Sequence, residues 1–246
     1  MIIKRRAGQF VKYSIYIEFI NKLLILNPKI LKKRYKMRHT LILFSIASLM
    51  FTFLLPVITN AEEVAVSADK IRPLLVGSAV PSLTLHTVKN EPYDLMAAIA
   101  KKPTVLIFYR GSWCPYCNLH LNELKDVESE LLGLGYQIIA ISPDRPENLK
   151  KSAEKHEMKY QLLSDSKMEA AKAFGIAFKV DSPTLNKYEK YGIDLEDASG
   201  EKHHLLPVPA VFLVNTDGII QFQYVNPNYN VRIKKEVILA AAKAFL

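Results

Sequence analysis

The sequence predicts an α/β domain: a three-layer α/β/α sandwich whose mixed central sheet has parallel core strands and an antiparallel edge hairpin. Three observations predict it. Apolar runs at 104–109 and 137–142 flank an amphipathic stretch at 114–132, which is strand, helix, strand. Helix and strand patterns then alternate through 147–174. Finally, Asn215-Thr216-Asp217-Gly218 separates two apolar runs, 211–214 and 219–224, and Asp-Gly is a hairpin-turn signal.

The elements follow in order. Residues 62–73 are mixed and polar and read as a linker or loose helix. Val76 to Leu85 reads as a turn leading into a short alternating strand, and Asn90-Glu91-Pro92 as a turn. Asp94 is placed to cap a short helix ending at Ala100. Strand 104–109 and helix 114–132 come next, with Gly133 and Gly135 stopping the helix. Strand 137–142 completes a βαβ unit. Helix 147–156, strand 160–163 and helix 167–174 follow, the last halted by Gly175. Residues 178–206 look polar and irregular, with one helix near Leu185–Tyr191. Helix 231–246 closes the chain. About 170 residues from Leu74 onward are enough to bury a core without disulfides.

The chemistry concentrates in Arg110-Gly111-Ser112-Trp113-Cys114-Pro115-Tyr116-Cys117, the turn from strand to helix. Its two cysteines are the only ones in the chain. The thiolate is the reactive form of cysteine, and unpaired amides with a positive dipole at a helix N-terminus lower a thiol's pKa. Cys114 is expected at the cap, with Pro115 at the first helical position, where its missing N–H costs nothing. Cys117 lies one turn on, so the pair can cycle between dithiol and disulfide with little backbone movement. Arg110 adds a positive charge. Trp113 covers one side, and Tyr116 reads as packing or groove wall. Two other readings stand beside redox use. A structural disulfide would gain little from so small a loop. A zinc site would need about four ligands, with only His203-His204 offering a second pair. No metal, nucleotide or flavin cofactor is expected, since no glycine-rich phosphate loop has the needed spacing.

Charge is unevenly placed. Residues 1–38 hold eleven of the 33 Lys and Arg and one of the 24 acids, leaving 22 bases against 23 acids in the remainder. The expected folded part thus lacks the basic footprint of nucleic-acid binding. Residues 37–61 have the form of a secretory signal peptide: basic Met37-Arg38-His39, an apolar run from Leu41 to Leu55, Pro56, then Thr59-Asn60-Ala61. The extended run 41–58 also offers a membrane attachment. Either way the basic flank stays inside and the domain is exported, to a periplasmic or other extracytoplasmic compartment. Residues 1–36 are a basic extension upstream of Met37, the expected translation start.

The chain resembles thioredoxin-fold proteins, and more closely the alkyl-hydroperoxide-reductase/thiol-specific-antioxidant family, the peroxiredoxins and their relatives. Gly77-x-x-x-Pro81-x-Leu83-x-Leu85, Ile141-Ser142-Pro143-Asp144-x-Pro146-Glu147 and Leu162-Leu163-Ser164-Asp165 carry the likeness, which covers about 74–246. Val208-Pro209-Ala210 resembles the site of the cis-proline that faces the cysteines in thioredoxins. The family pattern Pro-x-x-x-Thr/Ser-x-x-Cys sets Arg110 at the proline, Cys114 at the hydroxyl residue and Cys117 at the peroxidatic cysteine. No clear counterpart of the family's distal arginine is found; Pro209 falls near its place. Thioredoxins instead imply Cys114 as nucleophile, and Cys-Pro-Tyr-Cys is also a glutaredoxin spacer.

The resemblance implies a thiol-based redox enzyme that reduces hydroperoxides at the expense of a thiol donor, protein or small molecule. The missing hydroxyl and arginine imply modest turnover. Two alternatives remain open: an exported protein-disulfide reductase, and a non-catalytic binding module with a static disulfide. Site residues are then Cys114 and Cys117, lined by Arg110, Trp113, Pro115, Tyr116 and Pro209. His120 shares a helix face with Cys117. Tyr109 reads as packing, Asp144 as a turn residue and His203-His204 as a solvated loop.

Overall fold

The computed structural model describes residues 64–156 and 160–246. The expected extension 1–36 and signal or anchor segment 37–61 lie outside these residues. No helix among the described residues is long and apolar enough to cross a membrane.

Strands β1 (Thr84–Thr87), β2 (Pro92–Asp94), β3 (Thr104–Phe108), β4 (Gln137–Ser142) and β5 (Gln161–Ser164) join β8 (Ala210–Val214) and β9 (Ile220–Val225) in one sheet. The strand order is β2-β1-β5-β4-β3-β8-β9. The β3–β4 and β4–β5 pairs are parallel, and the outer pairs are antiparallel. This is the mixed sheet the sequence predicts. The helices are α1 (Leu95–Ile99), α2 (Pro115–Gly133), α3 (Pro146–His156), α4 (Glu169–Ala173), α5 (Ser182–Lys190), α6 (Leu195–Ser199) and α7 (Lys235–Ala244).

Strand alternation distributes β3 between two cores. Val105 and Ile107, with Tyr109 just beyond the strand, join Leu121, Leu124 and Leu131 of α2, Leu149 of α3 and Ile238 of α7. Leu106 and Phe108 face Leu95 and Ile99 of α1, Ala170 and Ala171 of α4, and Phe174. Every residue of β3 is buried, as a central strand covered on both faces must be. The cap at Asp94 forms as expected, its carboxylate accepting from the Ala97 amide at 2.9 Å.

The structure sharpens one sequence reading and corrects another. Residues 64–73, read as a linker or loose helix, carry one short helical turn at Ala68–Lys70 and are docked on the domain: the Arg72 amide donates to Gly175 O at 3.0 Å and the Lys179 amide to Ala65 O at 2.8 Å. Scattered apolar side chains, Val64, Ile71 and Leu74, pack on the core and hold the segment there. Residues 178–206 are also more ordered than their polarity implies. Strands β6 (Ala177–Lys179) and β7 (Leu205–Pro207) pair antiparallel, with α5 and α6 between them. Both helices are capped by aspartate, Asp181 on Thr184 N and Asp194 on Glu196 N and Asp197 N. Local capping there replaces the hydrophobic period that pattern reading relies on.

Candidate active site

Cys114 is the N-cap of α2 and Pro115 follows it in the first turn, as predicted. Parallel pairing with β4 aims β3 at this end of the sheet, and the loop 109–114 carries the chain from strand to helix. The loop is pinned from both sides. The Ser112 amide donates to Asp144 Oδ2 at 2.6 Å, and Asn118 Nδ2 donates to Ser112 O at 2.8 Å. Gly111, with φ +141°, makes the turn possible. A Cβ there would lie 2.4 Å from Trp113 Nε1 and 2.9 Å from Asp144 Oδ1.

Both thiols are sheltered: Cys114 and Cys117 are each 1% exposed. The Cys117 thiol donates a hydrogen bond to Cys114 sulfur, which is the largest influence lowering the Cys114 pKa. The Cys117 amide, Arg110 and Arg232 add to it and outweigh burial, so Cys114 comes down to about 6. Cys117 goes the other way, pushed well up by burial first, then by its bond to Cys114 and the thiolate charge there. One sulfur is thus the thiolate and the other its proton donor.

Two arginines flank the pair. Arg110 is buried and donates to the Tyr188 hydroxyl. Arg232, on the segment entering α7, donates from Nη2 to Cys117 Sγ at 3.4 Å. The sequence places Arg110 at the site and offers no clear counterpart of the family's distal arginine; Arg232 is a second guanidinium that sequence reading does not single out. Arg232 lies 115 residues from Cys117, at the start of the helix read over 231–246, and nothing local says that its side chain reaches the cysteines.

The remaining predicted residues divide. Trp113 packs on Tyr188 at 5.6 Å between ring centroids, and Tyr116 on Tyr229 at 5.9 Å; these are walls of the site. Tyr109 is buried in the same core cluster as both cysteines. Pro209 lines a small cavity with His120, Tyr224 and Arg232. It is not a cis-proline, because no peptide bond among the described residues is cis. His120 is buried; burial first and Arg232 second bring its imidazole down to about 4, so it is neutral near pH 7. His203 and His204 belong elsewhere. His203 Nε2 pairs with Ser166 O at 2.7 Å, and His204 Nε2 with Glu196 Oε1 at 2.8 Å. Among the described residues no three metal-ligating side chains come together.

Asp144 is more than the turn residue its sequence implies. It is fully buried at the C-terminal end of β4, and burial pushes its carboxyl up to about 6 against the Ser112 amide and Ser142 hydroxyl. An acid just beyond a parallel strand's carboxyl end is the signal by which the sequence could have marked it.

The AhpC/TSA family model matches residues 76–223. The Haemophilus influenzae bcp protein is 34% identical over 106 residues, spanning 43% of this chain and 68% of its own. Among solved structures, peroxidoxin BcpB from Mycobacterium tuberculosis superposes with TM-score 0.56 at 21% identity, covering 70% of this chain and 97% of its own. Reduced Prx3 from Vibrio vulnificus, in complex with H2O2, superposes with TM-score 0.57 at 18% identity, covering 69% and 99%. These structural likenesses support the thioredoxin-like fold.

Proposed function

The chain belongs to the AhpC/TSA family, and from that membership we propose that it is a thiol-dependent peroxidase in which Cys114 and Cys117 cycle between dithiol and disulfide. The observation that carries this reading is the pairing itself: two thiols, each 1% exposed, share a proton between two arginines. A small hydroperoxide suits so sheltered a pair better than a folded protein's disulfide does.

The Cys114 thiolate attacks one oxygen of the O–O bond. That oxygen stays on sulfur as a sulfenic acid, and the other leaves as alkoxide or hydroxide, which takes a proton. Arg110 and Arg232 offset the negative charge carried between sulfur and leaving oxygen. The Cys117 thiol then attacks the sulfenic sulfur. An S–S bond forms, and hydroxide leaves with the thiol's proton as water. An external dithiol, protein or small molecule, returns two electrons by exchange. Cys114 holds the place where the peroxiredoxin pattern has a hydroxyl residue, and Cys117 the peroxidatic place. The roles proposed here exchange those positions, on the grounds of the helix cap and the lowered Cys114 pKa.

The test is stoichiometry. Reduced protein given limiting hydrogen peroxide is expected to lose two thiols per peroxide, form the Cys114–Cys117 disulfide, and recover with dithiol. Reduction of insulin disulfides without peroxide consumption overturns the reading. We also propose that 37–61 directs export, so that the domain works outside the cytoplasm. A fusion at residue 75 to a reporter active only after export tests this, and a cytoplasmic reporter contradicts it.

A further inference from the structure

Arg110 is a cation held without a carboxylate. Its side chain is 3% exposed, yet no carboxylate among the described residues lies within ion-pair distance of it. Its surroundings are aromatic. The guanidinium carbon lies 4.0 Å from the ring centroid of Tyr229, 5.1 Å from Trp113 and 5.5 Å from Tyr188. Nη2 donates to the Tyr188 hydroxyl, and Nε has no partner. The rings brace one another, Trp113 on Tyr188 and Tyr229 on Tyr116. They arrive from separate parts of the chain: the loop before α2, helix α5, and the segment between β9 and α7.

Burying a guanidinium is costly unless something replaces its water. A carboxylate would replace it and also cancel its field. Ring faces attract the cation through their quadrupole and carry no net charge. The positive charge therefore stays available to a neighbouring thiolate. The groups that face Cys114 are Cys117 from α2, Arg110 from the loop, Arg232 from the segment before α7, and Tyr188 from α5.

We propose that Tyr188 and Tyr229 are positioning residues that hold Arg110 as a cation without a carboxylate partner beside Cys114, so that an aromatic box raises the thiolate fraction of the attacking cysteine. This rests on the reading of Cys114 as the attacking thiol. Tyr188 lies on α5 and Tyr229 in the 226–231 segment, so both regions contribute to the chemistry through Arg110.

The test titrates Cys114 in the reduced full-length protein, by the rate of site-resolved iodoacetamide alkylation against pH. Tyr229→Leu is expected to move the midpoint up by about one pH unit. Tyr229→Phe, which keeps the ring face, leaves the midpoint near wild type. Tyr188→Phe, which loses only the acceptor hydroxyl, moves it up by about half a unit. Tyr229 is exposed and Tyr188→Phe keeps its ring, so unfolding does not obscure the outcome. A midpoint unmoved or lowered in both Tyr229→Leu and Tyr188→Phe, with unchanged thermal unfolding, overturns the box. No peroxide enters this measurement. A protein whose midpoints shift as expected but which consumes no peroxide refutes the peroxidase and leaves the box standing; normal turnover with fixed midpoints refutes the box alone.

Discussion

Arg232 Nη2 reaches Cys117 Sγ at 3.4 Å, joining the start of the chain's last helix to the first turn of the helix that carries both cysteines. The docking of α7 on α2 holds this contact. Lys235 pairs with Asp126 and Lys243 with Glu130, while Ile238 packs into the core beside Leu124. The arginine is thereby fixed by an interface some distance from the sulfur.

If Arg232 offsets charge in the reaction, Arg232→Met lowers kcat/KM for hydrogen peroxide by about 10²-fold or more, the scale for removing one well-placed donor. Arg232→Lys retains the charge without the planar fork and recovers only part of the loss. Steady-state kinetics with a coupled dithiol reductant measures both. A rate within about twofold of wild type for Arg232→Met contradicts the assignment.

Cys114 is expected to alkylate with a midpoint near pH 6, far below an ordinary cysteine. Its leading cause is the Cys117 thiol, so Cys117→Ala moves the midpoint up, and Cys117→Ser, which keeps an O–H donor, moves it less. The linkage has a definite sign. The folded pKa is depressed, so the stability contributed is present above the ordinary value of 9.0 and is lost as pH falls through about 6. Alkylation rates from about pH 4 to about pH 10 bracket both values and check the midpoints.

Asp144 carries the opposite sign. Its folded pKa of about 6 lies above the ordinary 3.8, so the fold favours the protonated form. Stability is complete below about pH 4 and is lost as pH rises through about 6. Asp144→Asn cannot ionise. Its stability relative to wild type should improve between about pH 4 and about pH 7 by up to about 3 kcal/mol, since each pH unit separating the folded and unfolded midpoints is worth about 1.4 kcal/mol. Urea unfolding at both pH values measures the difference, and a flat difference contradicts the buried-acid account.

Gly175, with φ +67°, receives the Arg72 amide on its carbonyl, and a Cβ would stand 1.9 Å from Arg72 O. Gly175→Ala should destabilise the domain by about 2–4 kcal/mol and loosen residues 64–74. Chemical denaturation gives the first value. Faster proteolysis before Leu74 reports the second.

Much of this site is local, and what is local is legible in the sequence. The run from Thr104 to Phe108, the helix from Pro115, and the cap at Cys114 follow from apolar spacing and a proline. The turn at Asp217-Gly218 follows from one dipeptide, and Gly218 takes φ +77° there. Contacts made by topology leave no such pattern. Arg232, Tyr188 and Tyr229 each lie in polar stretches, and nothing in their neighbours says that the fold gathers Tyr188 and Tyr229 around Arg110 or brings Arg232 to Cys117. The pairing of β6 with β7 is hidden in the same way, since each strand has only three residues. Pro209 shows the converse error, in which a motif's usual geometry is expected and a trans bond is found.

The most direct measurement is intact-mass analysis of three reduced proteins, wild type, Cys114→Ser and Cys117→Ser, each exposed to one equivalent of hydrogen peroxide. The account predicts a Cys114–Cys117 disulfide in wild type, a dimedone-trappable sulfenic acid on Cys114 in Cys117→Ser, and no oxidation of Cys114→Ser on the same timescale. Rapid sulfenic acid formation on Cys117 in Cys114→Ser, or no oxidation of wild type, contradicts it.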